Sequence, residues 1–439
     1  MGMTAFDEQK PPSAQLVADC VHCGFCLPTC PTYELWGHES DSPRGRIDLV
    51  NAGLSGAEMT DSMVTHMDRC LGCMACVTAC PSGVQYDKIV TATRAQIERN
   101  HKRPLFQRML RGLIFATFPH PGRLRVMRNM LRAYRGLRLD RLIRKVRLHS
   151  KLPSSVRAME AIAPPLSGYE GVPARTPAVG TRRAVVGVLT GCVQDVFFSS
   201  VNAATVRVLA AEGCDVIVPP RQGCCGALSL HNGRSPEAER YAKAVIDMFT
   251  AENVDAVVVN AAGCGSAMKE YVDLLEDDVE YAEKVAAFHA KVYDLSEYLI
   301  QLGTVAPRHE LPLRVAYHDA CHLAHAQGIR AQPRRLLQGV PGVTVAEIPD
   351  AALCCGSAGV YNLLEPEAAA ELGERKATAV ASVRPDILVT ANPGCMMQIA
   401  TSLRERGTPL PMLHTAQFLD AAISGTPAAE LTEHGSSAG

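Results

Sequence analysis

Long apolar runs are missing from this 439-residue sequence. The longest candidate, residues 113–118, is far shorter than the roughly 20 residues that a transmembrane helix needs. Residues 1–15 contain neither the basic segment nor the apolar segment of a secretory signal peptide. We therefore expect a protein of a reducing, cytoplasmic compartment that would meet a membrane only peripherally.

Two kinds of catalytic motif are absent as well. No Gly-rich dinucleotide fingerprint follows an early strand, and no nucleophile elbow occurs. The chain therefore has no recognisable site to accept a hydride or attack a substrate, and we expect no catalytic residues in it. The formal net charge is -1, and we expect no nucleic-acid partner.

Cysteine is abundant instead. In a large chain without a signal peptide, its 17 cysteines more often bind metal or do redox work than form disulfides. The run Cys20-Val-His-Cys23-Gly-Phe-Cys26-Leu-Pro-Thr-Cys30-Pro31 returns as Cys70-Leu-Gly-Cys73-Met-Ala-Cys76-Val-Thr-Ala-Cys80-Pro81. The C-x2-C-x2-C spacing wraps three thiolates around one [4Fe-4S] cube. The two runs therefore predict two [4Fe-4S] clusters.

The fourth ligand of each cube must come from elsewhere. In two-cluster ferredoxins, the cysteine before proline serves the other cluster. Carried onto this chain, that pattern assigns Cys20, Cys23, Cys26 and Cys80 to cluster 1, and Cys70, Cys73, Cys76 and Cys30 to cluster 2. Two structural zinc sites are the alternative, because C-x-x-C also suits zinc, but two identical runs ending in Cys-Pro favour clusters.

The segment between the runs has a helix start, with Asp41 or Ser42 as the cap and Pro43 near the first helical position. Strand signals are few, so we expect an α-helical ferredoxin domain over residues 1–100. Arg44 and Arg46 would either lie near a cluster, where they would stabilise its reduced state, or be ordinary solvated charges.

Residues 101–183 have a different character. Between Lys102 and Lys151, Asp140 is the single acidic residue, and apolar residues recur at helical intervals. This pattern predicts basic amphipathic helices that bind anionic lipid, dock on an acidic partner or pack on the protein itself. Prolines and glycines over residues 153–183 predict a linker. The basic residues are Arg108, Arg111, Arg123, Arg125, Arg128, Arg132, Arg135, Arg138, Arg141, Arg144, Lys145 and Arg147.

The C-terminal half repeats itself. Cys192, Cys224-Cys225-Gly226 and Gly263-Cys264 reappear as Cys321, Cys354-Cys355-Gly356 and Gly394-Cys395, at offsets of 129 to 131 residues. A steady offset indicates a duplicated domain. We place the two Cys-Cys-Gly domains at residues 184–307 and 308–424, with a flexible tail at 425–439.

Each copy alternates apolar strand patterns with helical ones, which predicts an α/β fold. Expected strands lie at 184–189, 215–218 and 255–259 in the first copy, and at 314–317, 343–348 and 386–389 in the second. The repeated cysteines follow the ends of these strands, where such sheets gather ligands. Cys214 has Thr344 opposite it in the repeat, so we expect a buried structural thiol.

Together these motifs make the chain resemble the iron-sulfur subunits of glycolate oxidase, within a superfamily that includes heterodisulfide reductase. The resemblance rests on the first cysteine run, Ser42-Pro-Arg-Gly-Arg46 and Leu353-Cys-Cys-Gly-Ser-Ala-Gly359. It implies a flavin-binding dehydrogenase partner that oxidises glycolate to glyoxylate. It also implies electron transfer to a quinone or other acceptor at the cytoplasmic face of the inner membrane.

One departure concerns the Cys-Cys-Gly domains. Such domains of heterodisulfide-reductase type end in Cys-x-x-Cys, but Ala267 and Gln398 occupy the last position here. Four cysteines remain in each copy, enough for a metal or cluster site, while a zinc site or a docking role stays open. The remaining sets are Cys192, Cys224, Cys225 and Cys264, and Cys321, Cys354, Cys355 and Cys395.

Three functions follow in order of preference. The first is electron transfer for the oxidation of glycolate, or alternatively of D-lactate or glycerol-3-phosphate. The second is a thiol-disulfide enzyme of heterodisulfide-reductase type, against which the missing cysteines count. The third is a scaffold without redox activity, which would require the clusters to be absent.

Overall fold

The computed structural model describes residues 4–138, 153–164, 166 and 168–433. Residues 4–138 contain helices and no strand, as expected for an α-helical ferredoxin region. Arg141, Arg144, Lys145 and Arg147 of the basic segment lie outside the described residues. The helices are α1 (Ala14–Ala18), α2 (Pro31–Trp36), α3 (Pro43–Leu54), α4 (Asp61–Arg69), α5 (Ala75–Ala79), α6 (Tyr86–Asn100), α7 (Leu105–Thr117) and α8 (Pro121–Gly136), with a 3-10 turn at Glu39–Asp41.

The predicted start of α3 is confirmed. The Ser42 hydroxyl accepts a hydrogen bond of 3.1 Å from the backbone N–H of Gly45. Pro43 is the first helical residue, where its missing N–H costs nothing. This cap places Arg44 and Arg46 in the first turn of the helix.

The first repeat contains a five-stranded sheet with the order β1-β3-β2-β4-β5. Apart from β1, which pairs antiparallel with β3, neighbouring strands are parallel. Runs of valine suit these strands, since parallel strands are buried on both faces. The strands are β1 (Arg175–Thr176), β2 (Ala184–Leu189), β3 (Cys214–Ile217), β4 (Ala256–Val259) and β5 (Val292–Asp294).

The second repeat has the same topology. Its parallel sheet has the order β7-β6-β8-β9, which matches β3-β2-β4-β5 of the first repeat. The predicted duplicated α/β fold is therefore confirmed, although the expected strand at 343–348 is shorter. The strands are β6 (Arg314–His318), β7 (Thr344–Ala346), β8 (Ile387–Thr390) and β9 (Met412–His414).

Helices surround both sheets. The first repeat has α10 (Val193–Phe197), α11 (Ser199–Ala211), α12 (Ala227–Leu230), α13 (Ser235–Ala251), α14 (Ala262–Lys269), α15 (Tyr271–Leu274), α16 (Ala282–His289) and α17 (Leu295–Leu302). The second has α18 (Cys321–Ala324), α19 (Ala331–Gln338), α20 (Tyr361–Leu364), α21 (Pro366–Ser382), α22 (Pro393–Glu405), α23 (Thr415–Ser424) and α24 (Ala428–Glu433).

The two repeats pack on each other with approximate two-fold symmetry. Helix α11 packs on α23, and the equivalent pair, α19 and α17, packs in the same way. Buried residues of both repeats form one shared apolar core. The backbone N–H of Ala262 donates to Ala391 O at 3.1 Å, just beyond β4 and β8. The carboxyl ends of the two sheets therefore meet.

The expected linker is more ordered than its composition indicates. It contains helix α9 (Ser154–Ile162), which packs on α20, α21 and α22 of the second repeat. Met159 and Ile162, one helical turn apart, contribute to an apolar cluster there. The linker also contains strand β1. Prolines and glycines thus marked the ends of these elements rather than a continuous loop.

Candidate iron-sulfur and cysteine sites

The first cysteine run lies near the surface, in the loop between α1 and α2. Cys23 is exposed, and Cys20 and Cys26 are half-buried. Cys80 follows α5 at the end of the second run. Burial and, more weakly, the charge of Cys80 raise the pKa of the Cys20 thiol. The structure thus brings Cys80 near the first run.

The second run is enclosed. Cys70 and Cys73 are buried between α4 and α5, Cys76 is buried in the first turn of α5, and Cys30 is buried at the start of α2. These four cysteines line one small pocket together with Arg46. The structure therefore joins Cys30 to three cysteines of the other run, as in the ferredoxin pattern.

Hydrogen-bond donors surround the enclosed sulfurs. The Gly72 N–H and the Tyr86 hydroxyl donate to Cys70 Sγ at 3.4 and 3.6 Å. Arg46 Nη1 lies 4.0 Å from Cys30 Sγ. Burial alone would raise the pKa of Cys70, but Arg46 and Arg94 outweigh burial and hold that pKa below its usual value. Such donors and cations stabilise thiolates and the negative charge of an iron-sulfur cluster, so these residues fit that cofactor.

A buried network of charges fixes Arg46. Its guanidinium donates to Thr32 Oγ1 at 3.0 Å and to His66 O at 2.7 Å. Asp41 Oδ1 lies 3.5 Å from Arg46 Nη2 and 2.8 Å from His66 Nδ1. Arg46 is therefore not a solvated charge. Arg44 is partly exposed and pairs with Glu39, but it also donates to His22 O at 3.0 Å, so it lies against the first cysteine run.

Each repeat gathers its cysteines beyond the carboxyl ends of its strands, as predicted. In the first repeat, Cys192 Sγ lies 3.7 Å from Cys224 Sγ, and Cys225 interacts with both Cys224 and Cys264. Cys192 and Cys264 are half-buried. Cys214 does not belong to this group and is fully buried in β3, as expected for a structural thiol.

In the second repeat all four cysteines are buried. Cys354 interacts with Cys321 and Cys355. The sulfurs of Cys355 and Cys395 and a ring nitrogen of His318 all lie within 4.8 Å of one another. The side chains of Cys354, Cys395 and His318 hold the pKa of the Cys355 thiol well below its usual value.

The backbone conformation at each Cys-Cys-Gly motif requires a glycine. Gly226 and Gly356 have positive φ angles of 83° and 89°, a backbone region that favours glycine. A Cβ atom at Gly356 would lie 2.5 Å from Ala369 O. The equivalent atom at Gly226 would lie 3.2 Å from Ala238 O. The motif thus lets each cysteine pair turn closely over a helix of its own repeat.

The two repeats enclose a common chamber of about 430 Å³. All eight repeat cysteines line it, and so does the second ferredoxin loop from Cys70 to Met74. Cys73 packs with Cys321 and Cys354 in one buried cluster. The chamber therefore joins the enclosed ferredoxin site to both repeat sites, whereas the first cysteine run does not line it.

Sequence reasoning missed the histidines of this chamber. His231 and His322 line it, with ring centroids 4.8 Å apart in an edge-to-face arrangement. His231 Nε2 lies 3.3 Å from a carboxylate oxygen of Glu270. The one available signal was the sequence His318-Asp-Ala-Cys-His322, which brackets a repeat cysteine.

The basic helices are partly tied to their own protein. Arg111 is buried and contacts Glu98, and Arg125 contacts Asp195 at 2.8 Å. Helices α7 and α8 also carry several exposed apolar side chains. We call these the apolar surface: Leu105, Phe106, Met109, Leu113, Val126 and Met130. Among the described helices, none has the length and apolar character needed to cross a bilayer.

Comparisons with known proteins agree with this architecture. A family model described as a 4Fe-4S dicluster domain matches residues 16–84, and a Cysteine-rich domain model matches 186–269 and 315–400. A model described as the linker region of the glycolate oxidase iron-sulfur subunit matches residues 106–163.

Individual proteins are similar to this chain as well. The probable glycolate oxidase iron-sulfur subunit of Bacillus subtilis (strain 168) is 38% identical, over 89% of this chain and 89% of the relative. The glycolate oxidase iron-sulfur subunit of Escherichia coli (strain K12) is 37% identical, over 88% and 90%. Lactate utilization protein A of an Exiguobacterium species is 28% identical, over 54% of this chain and 98% of that protein.

Proposed function

Because this chain belongs to the family of glycolate oxidase iron-sulfur subunits, we propose that it is the electron-transfer subunit of a glycolate-oxidising complex. A flavin-binding dehydrogenase subunit would oxidise glycolate to glyoxylate. This chain would carry the electrons to a quinone-type acceptor. Its own part needs no catalytic residue, only sites that hold redox cofactors in sequence.

One observation carries the proposal: the enclosed pocket that Cys30 shares with Cys70, Cys73 and Cys76. Bound [4Fe-4S] clusters would supply one-electron carriers. We assign Cys20, Cys23, Cys26 and Cys80 to the first cluster, and the four enclosed cysteines to the second. The buried Arg46 guanidinium and the Tyr86 hydroxyl would stabilise the added negative charge of the reduced state at the second site.

The difference in burial between the two cysteine runs indicates the direction of electron transfer. Cys23 is exposed beside Phe25, which is also exposed. A partner could therefore bring its flavin close to the first run. The second run is buried but packs against Cys321 of the chamber, so electrons would leave towards the Cys-Cys-Gly sites.

We place the acceptor in the chamber. Phe106 lines the chamber and is 59% exposed, so the chamber reaches the surface at α7. Leu110 and Phe118 also line the chamber and add to its apolar wall, and His231 and His322 add polar rings to the lining. Such a combination suits the apolar tail and the carbonyl head of a quinone.

The apolar surface borders this mouth and supports contact with a membrane. Helices with exposed apolar residues and arginines bind the interface of anionic bilayers without crossing it. A quinone could then enter the chamber from the lipid. We therefore propose peripheral attachment at the cytoplasmic face of the inner membrane.

A second candidate substrate is lactate. The similarity to Lactate utilization protein A favours it, and the flavin-binding partner would decide between the two 2-hydroxy acids. A thiol-disulfide enzyme is less well supported. Gln398, where the missing cysteine would stand, donates to Ala369 O at 2.9 Å and accepts from Asn362 at 3.2 Å.

Anaerobic purification followed by iron analysis and electron paramagnetic resonance (EPR) tests the proposal. We expect signals from two interacting [4Fe-4S] clusters in the reduced chain. Cys23→Ser and Cys73→Ser should each remove one of them, and Cys214→Ser, a buried cysteine outside the sites, should remove neither. A zinc-loaded, iron-free chain that still supports turnover by the complex would contradict the proposal.

A further inference from the structure

The two Cys-Cys-Gly sites differ in one buried side chain. His318, the last residue of β6, is 1% exposed. Neither of its ring nitrogens has a hydrogen-bond partner among the described residues. A buried polar group without a partner is costly, so an imidazole left in this state points to a ligand.

The position of His318 indicates that the missing partner is a metal centre. One of its ring nitrogens lies within 4.8 Å of the Cys355 and Cys395 sulfurs. These three donor atoms are therefore close enough to serve one metal site. The carboxyl end of β6 thus supplies a nitrogen donor to a site that lacks its usual last cysteine.

A buried cation accompanies this histidine. Lys376 is 1% exposed, and its Nζ donates to Asp350 O at 2.9 Å. The same Nζ lies 3.4 Å from Ala351 O, in the loop that leads to Cys354 and Cys355. A positive charge beside several thiolates offsets the net negative charge of a metal-thiolate centre.

The first repeat has neither feature. By the offset of the repeat, Leu189 corresponds to His318 and Ile246 to Lys376. Both of these first-repeat residues belong to an apolar cluster. The histidine and the lysine are therefore specific to the second site.

We propose that His318 ligates an iron-sulfur cluster at the second Cys-Cys-Gly site, together with the thiolates of Cys321, Cys354, Cys355 and Cys395. The site adjoins Cys73 of the second ferredoxin run, where a redox-inactive zinc would end the electron path. Only this choice of iron over zinc rests on the proposed electron-transfer function.

The first arm of the test uses the wild-type chain, so it does not depend on a variant folding. The anaerobically purified protein is labelled with 15N-histidine and studied by pulsed EPR. We expect a histidine nitrogen coupled to one cluster, and more iron than the roughly eight atoms of two cubes. Absence of that coupling, or one bound zinc in place of the extra iron, would overturn the assignment.

The second arm compares variants. His318→Ala should abolish the nitrogen coupling and release the extra iron, and His318→Cys should keep the iron but lose the coupling. His325→Gln is the matched control, because His325 contacts Thr78 and Ala352 O at 2.8 and 3.2 Å. It should retain both signals. Nitrogen coupling that survives in His318→Ala would contradict the proposal.

The same samples separate this inference from the proposed function. Reduction of the two ferredoxin clusters by glycolate and the flavin-binding partner tests electron transfer. If reduction occurs while histidine coupling is absent, the His318 assignment fails alone. If histidine coupling is present while reduction fails, the proposed function fails and the ligand assignment stands.

Discussion

The Nε2 atom of His322 lies 2.9 Å from the carbonyl oxygen of Gly72. This contact joins residues 250 positions apart and connects the second repeat to the loop of the second cysteine run. Cys73 and Cys321 pack in one buried cluster beside it. The ferredoxin region and the repeats are therefore built around a shared boundary, across which electrons would have to pass.

Tyr86 should set the reduction potential of the second cluster. Tyr86→Phe removes the hydroxyl that donates to Cys70 Sγ, and a lost hydrogen bond to sulfur favours the less negative, oxidised state. At about 0.5 to 1.5 kcal/mol per hydrogen bond, we expect a decrease of roughly 20 to 60 mV for that cluster alone. EPR-monitored redox titration measures this shift, with Tyr293→Phe at a distant site as the control. An equal shift of both clusters would count against the assignment.

Arg46 and Arg44 should differ sharply in their effect on stability. Arg46→Leu leaves the buried Asp41 without one of its cations, and such losses cost about 3 to 5 kcal/mol. Arg44→Leu removes a partly exposed ion pair with Glu39 and a hydrogen bond to His22 O, and should cost about 1 kcal/mol. Denaturant unfolding of the cluster-loaded protein measures both. Equal destabilisation by the two substitutions would show that the buried network adds no more to the free energy of unfolding than the partly exposed pair does.

Asp294 should make stability depend on pH. This buried residue caps α17, and burial raises its pKa to about 6. The folded protein holds the proton more tightly than the unfolded chain, so the contribution to stability falls as pH rises through that value. Asp294→Asn removes this loss, so its stability relative to wild type should increase by about 1 kcal/mol between pH 5.5 and pH 8. A difference independent of pH would refute the raised pKa.

Membrane attachment should depend on the basic helices. Changing Arg128, Arg132, Arg135, Arg138 and Arg144 to Gln should reduce sedimentation with anionic vesicles, because each basic residue near such a surface contributes about 1 kcal/mol. Added salt should have the same effect. Copurification with the flavin-binding subunit should persist. If instead vesicle binding is unchanged and the complex dissociates, the stretch is a subunit interface.

The apolar surface gives a separate test of the same idea. Leu105→Ser, Met109→Ser and Leu113→Ser together should weaken vesicle binding even at high salt, since apolar insertion is not screened. Val279→Ser is the control, because Val279 is 96% exposed in the first repeat. A triple variant that binds vesicles as wild type does would remove these residues from the membrane contact.

Much of the fold could be predicted from local pattern. The strands beginning at Ala184 and Arg314 are apolar runs, and the constant offset of their cysteines made the duplication visible. Cys30 was assigned to the second run from ferredoxin spacing, and the structure places it beside Cys70. These features depend on residues near each other in sequence or on a regular repeat.

Other features depend on how distant segments pack. The chamber forms only where the two repeats meet and the loop at Gly72 covers them. No periodicity in the sequence predicts this packing. His318 is only three residues from Cys321 in the sequence. Its lack of a hydrogen-bond partner, however, is a property of the folded core. Helix α9 was missed because the surrounding prolines obscured Met159 and Ile162, which need the second repeat to form a buried face.

The most direct test of the account is rapid mixing of glycolate with the chain and its flavin-binding partner, followed by freeze-quench EPR. We predict that both ferredoxin clusters become reduced within turnover, and that glycolate alone reduces neither in the isolated chain. Cys73→Ser should still allow reduction of the first cluster while blocking quinone reduction. Clusters that stay oxidised while the complex reduces quinone would contradict the account.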